Sequence, residues 1–84
     1  MTDRIAMRIL LFGVYRERAG APSIEIELPA DARVDDLLAG IRELPALRGL
    51  TGRVAVAVNR RYADGDSPLG PDDEIALIPP VSGG

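Results

Sequence analysis

The sequence contains no cysteine and no histidine among its 84 residues. Without cysteine, the chain can form no disulfide, no zinc–thiolate site and no thiol nucleophile. Without histidine, it lacks the commonest general base and the usual transition-metal ligand. These two absences make a self-contained active site hard to build. We therefore expect a protein that is not catalytic alone.

Aromatic residues are also scarce, and acidic residues outnumber basic ones. The chain has one Phe, two Tyr and no Trp, and its net charge is −3. Because nucleic-acid binding uses basic patches and stacking aromatics, we expect no nucleic-acid partner. No apolar run approaches the ~20 residues of a membrane span and no signal peptide is visible, so we expect a cytoplasmic protein without membrane contact. The acidic residues between Asp64 and Asp73 do not have calcium-loop spacing, and we predict no metal site.

Four apolar segments have the length and pattern of β-strands. The first is an unbroken run, which is typical of a strand at the centre of a sheet. The second and third alternate between apolar and polar residues, which is typical of strands with one buried face. The segments are residues 7–14 (MRILLFGV), 23–28 (SIEIEL), 53–59 (RVAVAVN) and 74–78 (EIALI). Residues 1–6 are interpreted as a polar lead-in, and Asn59-Arg60 as a tight turn before a short strand at Tyr62.

One main helix is predicted between the second and third strands, after one or two helical turns at residues 15–20. Its apolar positions follow the i, i+3, i+4, i+7 spacing of a single buried stripe. The stripe consists of Val34, Leu37, Leu38 and Ile41. Arg33 is a poor N-cap, so we expect the helix to begin nearer Asp31 and to end at about Leu44.

The order of these elements matches the β-grasp architecture of ubiquitin-like proteins. We predict an α+β fold in which one main helix packs across a mixed sheet. The first and last strands should lie side by side at its centre, with the helix in the crossover connection. Residues 1–84 should form a single domain with a flexible C-terminal tail at residues 79–84.

Side-chain parity predicts an apolar patch on the face of the sheet that the helix leaves open. Arg8, Arg53 and Glu74 should face solvent, and every second residue along each strand shares their face. We interpret these residues as a partner surface, because a contiguous exposed apolar patch usually marks one. The alternative is that they are scattered apolar residues without function, which are normal on a sheet. The predicted patch contains Leu10, Phe12, Ala55, Ala57, Ala76 and Ile78, with Tyr62 at its edge.

The sequence ends in Pro79-Pro80-Val81-Ser82-Gly83-Gly84. The two prolines stiffen the exit from the last strand and project the chain away from the sheet. Glycine has no Cβ, so Gly83-Gly84 can pass through a narrow channel of another protein. A separate enzyme could activate a terminal carboxylate there as an acyl adenylate, and a sulfur nucleophile could then displace AMP. A frayed terminus without function is the alternative.

Two stretches carry a resemblance to a known family. They are ILLFGVYRERAG at residues 9–20 and AVNRRYADGDSPLGPDDEIALIPPVSGG at residues 57–84. The chain resembles the MoaD/ThiS family of β-grasp sulfur carriers, and its Pro-Pro-Val approach to Gly-Gly favours the molybdopterin branch. The resemblance implies a small subunit of molybdopterin synthase. In it, Gly84 is adenylated, converted to a thiocarboxylate and used to donate sulfur to cyclic pyranopterin monophosphate in molybdenum cofactor biosynthesis.

The resemblance also implies partners and site residues. The partners are the large subunit of molybdopterin synthase, in a heterotetramer, and a ubiquitin-activating-like adenylyltransferase. ATP is used by that activating enzyme, so no cofactor is expected on this chain. The expected site comprises Gly83 and Gly84 for the chemistry and, for partner binding, Leu10, Phe12, Tyr62, Ile78, Pro79, Pro80, Val81 and Ser82. The alternatives are a carrier for thiamine thiazole, cysteine or tRNA, and a ubiquitin-like interaction module that carries no sulfur.

Overall fold

The computed structural model of the chain describes residues 3–45, 47 and 54–79. Its elements are β1 (Arg4–Leu11), α1 (Gly13–Ala19), β2 (Ser23–Pro29), α2 (Val34–Arg42), β3 (Ala55–Val58), β4 (Arg61–Tyr62) and β5 (Ile75–Ile78). The strands form one sheet in the order β2-β1-β5-β3-β4. The central pair, β1 and β5, is parallel, and the other pairs are antiparallel. The predicted α+β class and the adjacency of the first and last strands are confirmed.

The hydrophobic core lies between one face of the sheet and the two helices. Ile9 of β1 and Leu37 of α2 are completely buried, and burial of such a side chain contributes about 1.5–3 kcal/mol. The predicted helix stripe is confirmed, and so is the burial of the strand residues that alternate with the predicted solvent face, because all of these residues are buried or pack half-buried against the core. Tyr15 of α1 is also buried, and this burial raises the pKa of its phenol. Neither described helix is long and apolar enough to cross a membrane.

The bounds of the first strand differ from the prediction at both ends. β1 begins at Arg4, so the lead-in predicted for residues 1–6 is wrong for residues 4–6. Residues 4–6 are extended because they pair with β2. In this pairing, Arg4 of β1 lies opposite Pro29 of β2. β1 ends at Leu11, so Phe12 lies outside the strand that was predicted to contain it. Gly13 turns the backbone to a φ of +55° and begins α1.

The main helix α2 begins at Val34 rather than near Asp31, and it ends before the predicted Leu44. Arg33 occupies the N-cap position although its side chain is unsuited to it. The carbonyl oxygens of Ser67 and Gly65 accept hydrogen bonds from the first two N–H groups of the helix, each at 3.0 Å. A loop distant in sequence thus supplies two of the capping acceptors, and Asp36 Oδ2 in the first turn of the helix accepts from the Arg33 N–H at 2.8 Å.

Two further elements begin two residues away from their predicted starts: α1 at Gly13 rather than Tyr15, and β3 at Ala55 rather than Arg53. The other boundaries agree with the prediction to within a residue. β5 begins at Ile75 rather than Glu74, and the predicted strand residue Arg53 is not among the described residues. The predicted turn is confirmed, because Asn59 and Arg60 have φ values of 53° and 69° and lead directly into β4. Positive φ at both central positions is the geometry of a two-residue hairpin turn.

Candidate functional site

The candidate site is an apolar patch on the face of the sheet opposite the core. One row of side chains crosses four strands, since Leu10 lies opposite Ala76, Ala76 opposite Ala57, and Ala57 opposite Tyr62. Residues paired in this way project from the same face. The two alanines form the floor and are only 7–8% exposed, whereas Tyr62 at the sheet edge is 75% exposed. The predicted placement of these four residues is confirmed.

The second row of the patch lies towards the carboxyl end of β5. Ile78 lies opposite Ala55 of β3, as parity predicted. Phe12 has left β1, yet it lines the same pocket as Ile78. It does so because its backbone stays extended, with φ −131° and ψ 157°, before the turn at Gly13. Phe12 is therefore correctly placed in the patch although its assignment to the strand is wrong, and its side chain is 48% exposed.

The two rows border a shallow pocket of about 310 Å³. Five apolar residues and one ion pair line it: Leu10, Phe12, Ala57, Ala76, Ile78, Arg60 and Glu74. Arg60 Nε lies 3.3 Å from Glu74 Oε2, with the two side chains 87% and 46% exposed. An ion pair as exposed as this contributes little to stability. It forms a charged rim that sequence analysis did not assign to the site.

A hydrogen-bonded clamp holds this rim in place. Asn59 Nδ2 donates to Asp73 Oδ1 at 3.0 Å, and Asn59 Oδ1 accepts from the Glu74 N–H at 3.0 Å. The Asn59 N–H donates to the Glu74 carbonyl at 2.7 Å, and Asp73 Oδ2 accepts from the Gly70 N–H at 2.8 Å. The clamp thus ties the β3–β4 turn to the residues that precede β5. Sequence analysis recognised Asn59 only as a turn residue.

We expect Asn59→Ala to lower the free energy of unfolding by about 2 kcal/mol, measured by urea denaturation. The change removes two side-chain hydrogen bonds and a residue that tolerates positive φ. The matched variant Asn59→Gly keeps the conformational freedom and loses only the hydrogen bonds, so its loss should be near 1 kcal/mol. Wild-type stability in both variants would contradict the assigned role of the clamp.

The exit of the last strand adjoins the patch. Because β1 and β5 run parallel, their carboxyl ends lie at the same end of the sheet. Phe12 follows β1 there, and Pro79 follows Ile78 of β5. The predicted site residues 80–84 lie outside the described residues, and their roles stay predictions. The structure therefore joins the predicted docking face to the base of the predicted tail.

Comparison with known proteins shows the family to which the chain belongs. The sequence pattern of the ThiS family matches residues 9–84. The chain belongs to the ThiS family. A relative from Dictyostelium discoideum, named molybdopterin synthase sulfur carrier subunit, is 38% identical over 81 residues, which cover 92% of this chain and 94% of the relative.

Two solved structures extend the comparison of this ThiS-family chain. SAMP1 of Haloferax volcanii, a small archaeal modifier protein, has a TM-score of 0.77 and 31% identity over 95% of this chain and 100% of its own. A protein–protein complex of subunits 1 and 2 of molybdopterin-converting factor from Helicobacter pylori contains a chain with a TM-score of 0.68. That chain is 28% identical, over 95% of this chain and 100% of its own. The predicted β-grasp class is confirmed.

The chemistry open to this ThiS-family chain is limited by its residues. Within the described ranges, no group of three or more Asp and Glu side chains is placed to hold a metal ion. The sequence provides no cysteine or histidine. What the described part of the chain offers is an exposed aromatic and aliphatic surface, which suits docking to another protein.

Proposed function

We propose that this chain is a sulfur carrier that acts as the small subunit of molybdopterin synthase. The observation that supports it most directly is the continuity between the apolar patch and the exit of β5. Phe12 and Ile78 line the pocket, and Pro79 leads from Ile78 towards Gly84. A partner that covers the patch is then adjacent to the base of the tail. The shared name of relatives that span nearly the whole chain supports the same role.

In this proposal the reactive group is the Gly84 carboxylate. On a ubiquitin-activating-like adenylyltransferase, the carboxylate attacks the α-phosphorus of ATP, which releases pyrophosphate and forms an acyl adenylate. Hydrosulfide then attacks the carbonyl carbon, AMP leaves, and a thiocarboxylate and a proton remain. A carboxylate has no good leaving group, and AMP supplies one. ATP and the catalytic groups belong to the partner enzyme, so this chain binds no cofactor of its own.

The second partner in this proposal is the large subunit of molybdopterin synthase. The Helicobacter pylori structure is a complex of subunits 1 and 2 of molybdopterin-converting factor, which supports a partner of this kind. The patch docks against the large subunit, and residues 79–84 carry the thiocarboxylate to its active site. There the sulfur passes to cyclic pyranopterin monophosphate. Two carriers flank a dimer of large subunits, and the location is cytoplasmic, where ATP is available.

Mass spectrometry of the intact chain tests the loading step. The chain is incubated with the activating enzyme of the same organism, MgATP and sodium sulfide. We expect a mass gain equal to the replacement of one oxygen by one sulfur, and no gain when ATP is omitted. The loaded chain is then mixed with the large subunit and cyclic pyranopterin monophosphate, and sulfur in the pterin product is measured. A chain that stays unmodified in the complete mixture would contradict the proposal.

The narrow-channel interpretation of the tail has its own test. We expect Gly83→Val to fold normally and to load or transfer sulfur at least about tenfold more slowly, because the added side chain misplaces the carbonyl. The thermal midpoint serves as the control for folding, and single-turnover rates measure loading and transfer separately. Wild-type rates would show that the channel admits a β-branched side chain at this position.

A further inference from the structure

All 10 basic residues of the chain are arginines, and the sequence contains no lysine. The two cations differ in their chemistry. The arginine guanidinium stays protonated in proteins and is not a nucleophile, whereas the lysine amine attacks carbonyl carbons once it has lost its proton. This difference bears on the proposed function, in which the Gly84 carboxylate becomes an acyl adenylate. Any amine that reaches the carbonyl carbon of an acyl adenylate can displace AMP.

One of the arginines lies beside the base of the tail. A Cβ atom built on Gly13 would lie 3.0 Å from Pro79 Cγ, so the start of α1 contacts the residue that follows β5. Arg16 is an exposed residue of the same helix, three positions after Gly13. Because helical residues with this spacing have Cβ atoms about 5–6 Å apart, the Cβ atom of Arg16 lies within roughly 9 Å of the Pro79 ring.

This position is well within the reach of the chain that follows Pro79. Residues 80–84 span at most about 18 Å, whatever path they follow. Two groups that are joined by so short a linker have an effective concentration in the millimolar range. An amine at position 16 would therefore compete with the sulfur nucleophile for the activated carbonyl of Gly84. The guanidinium of Arg16 provides positive charge at this position without such competition.

We propose that Arg16 is a selectivity-determining residue, because it places a cation that is not a nucleophile where a lysine would be acylated by the activated end of its own chain. The inference rests on the proposed function. In the side reaction that arginine prevents, the ε-amino nitrogen of lysine attacks the Gly84 carbonyl carbon. The bond from this carbon to AMP breaks, and the amine releases a proton. The product is a cyclic amide that is lighter than the free chain by one water.

Arg16→Lys is expected to form this cyclic amide when the chain is activated. The complete chain is incubated with the activating enzyme and MgATP without a sulfur donor, and intact mass measures the loss of one water. We expect the amide formed per pyrophosphate released to exceed the wild-type value at least about tenfold. It should rise by up to about tenfold from pH 7 to pH 8, because the unprotonated fraction of an amine with a pKa near 10.4 rises by that factor.

Arg4→Lys is the matched control for the position of the amine. Arg4 is also exposed, but it begins β1 and lies about 26 Å along the strand from Phe12, the residue before Gly13. Its side chain extends towards β2, where Nη2 donates to the Glu27 carbonyl at 2.9 Å. We therefore expect Arg4→Lys to form no more amide than wild type. Equal amide yields from Arg4→Lys and Arg16→Lys would overturn the inference.

A second variant, Glu17→Lys, retains Arg16 and adds an amine at the next exposed position of α1. It should also form the cyclic amide. Pyrophosphate release without amide in both variants would contradict the inference. Loss of pyrophosphate release in both would assign these positions to docking and would overturn it as well. A wild-type chain that releases no pyrophosphate and gains no sulfur would instead contradict the proposed function itself.

Discussion

Deletion of Gly84 is expected to leave the fold intact and to abolish sulfur loading. The buried core of the described residues lies between Met7 and Leu77, so we expect the fold not to depend on the last residue. Removal of one residue withdraws the terminal carbonyl by about 3.3–3.6 Å along an extended chain. Productive attack needs the reacting atoms about 3–3.5 Å apart, and a misplacement of 1 Å can cost about 100-fold. Loading should therefore fall at least 100-fold, measured as thiocarboxylate by intact mass.

A variant with the original length restored shows whether loading depends on the length of the tail or on the identity of its last residues. It lacks Gly84 but carries one glycine inserted after Pro80, so that the chain again has its original length and ends in glycine. If reach dominates, this variant should recover most of the loading. A truncated chain that loads like wild type would contradict the assignment of Gly84. The thermal midpoint of each variant should match wild type.

Phe12→Asp is expected to weaken binding to the large subunit by about 30-fold, or about 2 kcal/mol. Phe12 is a half-exposed aromatic ring at the border of the pocket, which is the kind of residue that anchors an interface. The change places a carboxylate against an apolar partner surface, where its desolvation is costly. Isothermal titration calorimetry with the purified large subunit measures the effect.

Val14→Asp is the control for this experiment. Val14 is 42% exposed, close to the 48% of Phe12, but it belongs to α1 and does not line the pocket. Both variants introduce one carboxylate in place of an exposed apolar side chain only two positions apart. Affinity should change for Phe12→Asp alone. Equal affinities for both variants and wild type would show that the patch is not part of the interface.

The patch could be predicted from sequence because period-two parity is a local property. Arg8 and Glu74 identified the solvent faces of β1 and β5, and Leu10, Ala76 and Ile78 then followed. Parity could not indicate that β1 ends before Phe12, because Gly13 is compatible both with a continued apolar strand and with the start of a helix. The residue stayed in the patch only because extended backbone continues for one position beyond the last strand hydrogen bond.

The features that sequence analysis missed depend on contacts between distant segments. The carbonyl oxygens of Gly65 and Ser67 accept hydrogen bonds from the first two N–H groups of α2. The helix can therefore begin after Arg33, which is a poor N-cap residue. Leu69 is buried although it lies in a loop without apolar periodicity, and its N–H donates to the Ala32 carbonyl at 3.0 Å. The Asn59 clamp likewise joins a turn to a loop. Such pairings become visible only when the chain is folded.

The parallel pairing of β1 with β5 has a consequence for how a carrier exchanges partners. It places the end that presents Phe12 and the base of the tail together, so one docking event delivers both. The five residues beyond Pro79 reach at most about 18 Å. A reactive end tethered that closely experiences an effective concentration in the millimolar range, without any affinity of its own. In the proposed function, the tail therefore needs little affinity of its own for an active site, and we expect the patch to set how long each complex lasts.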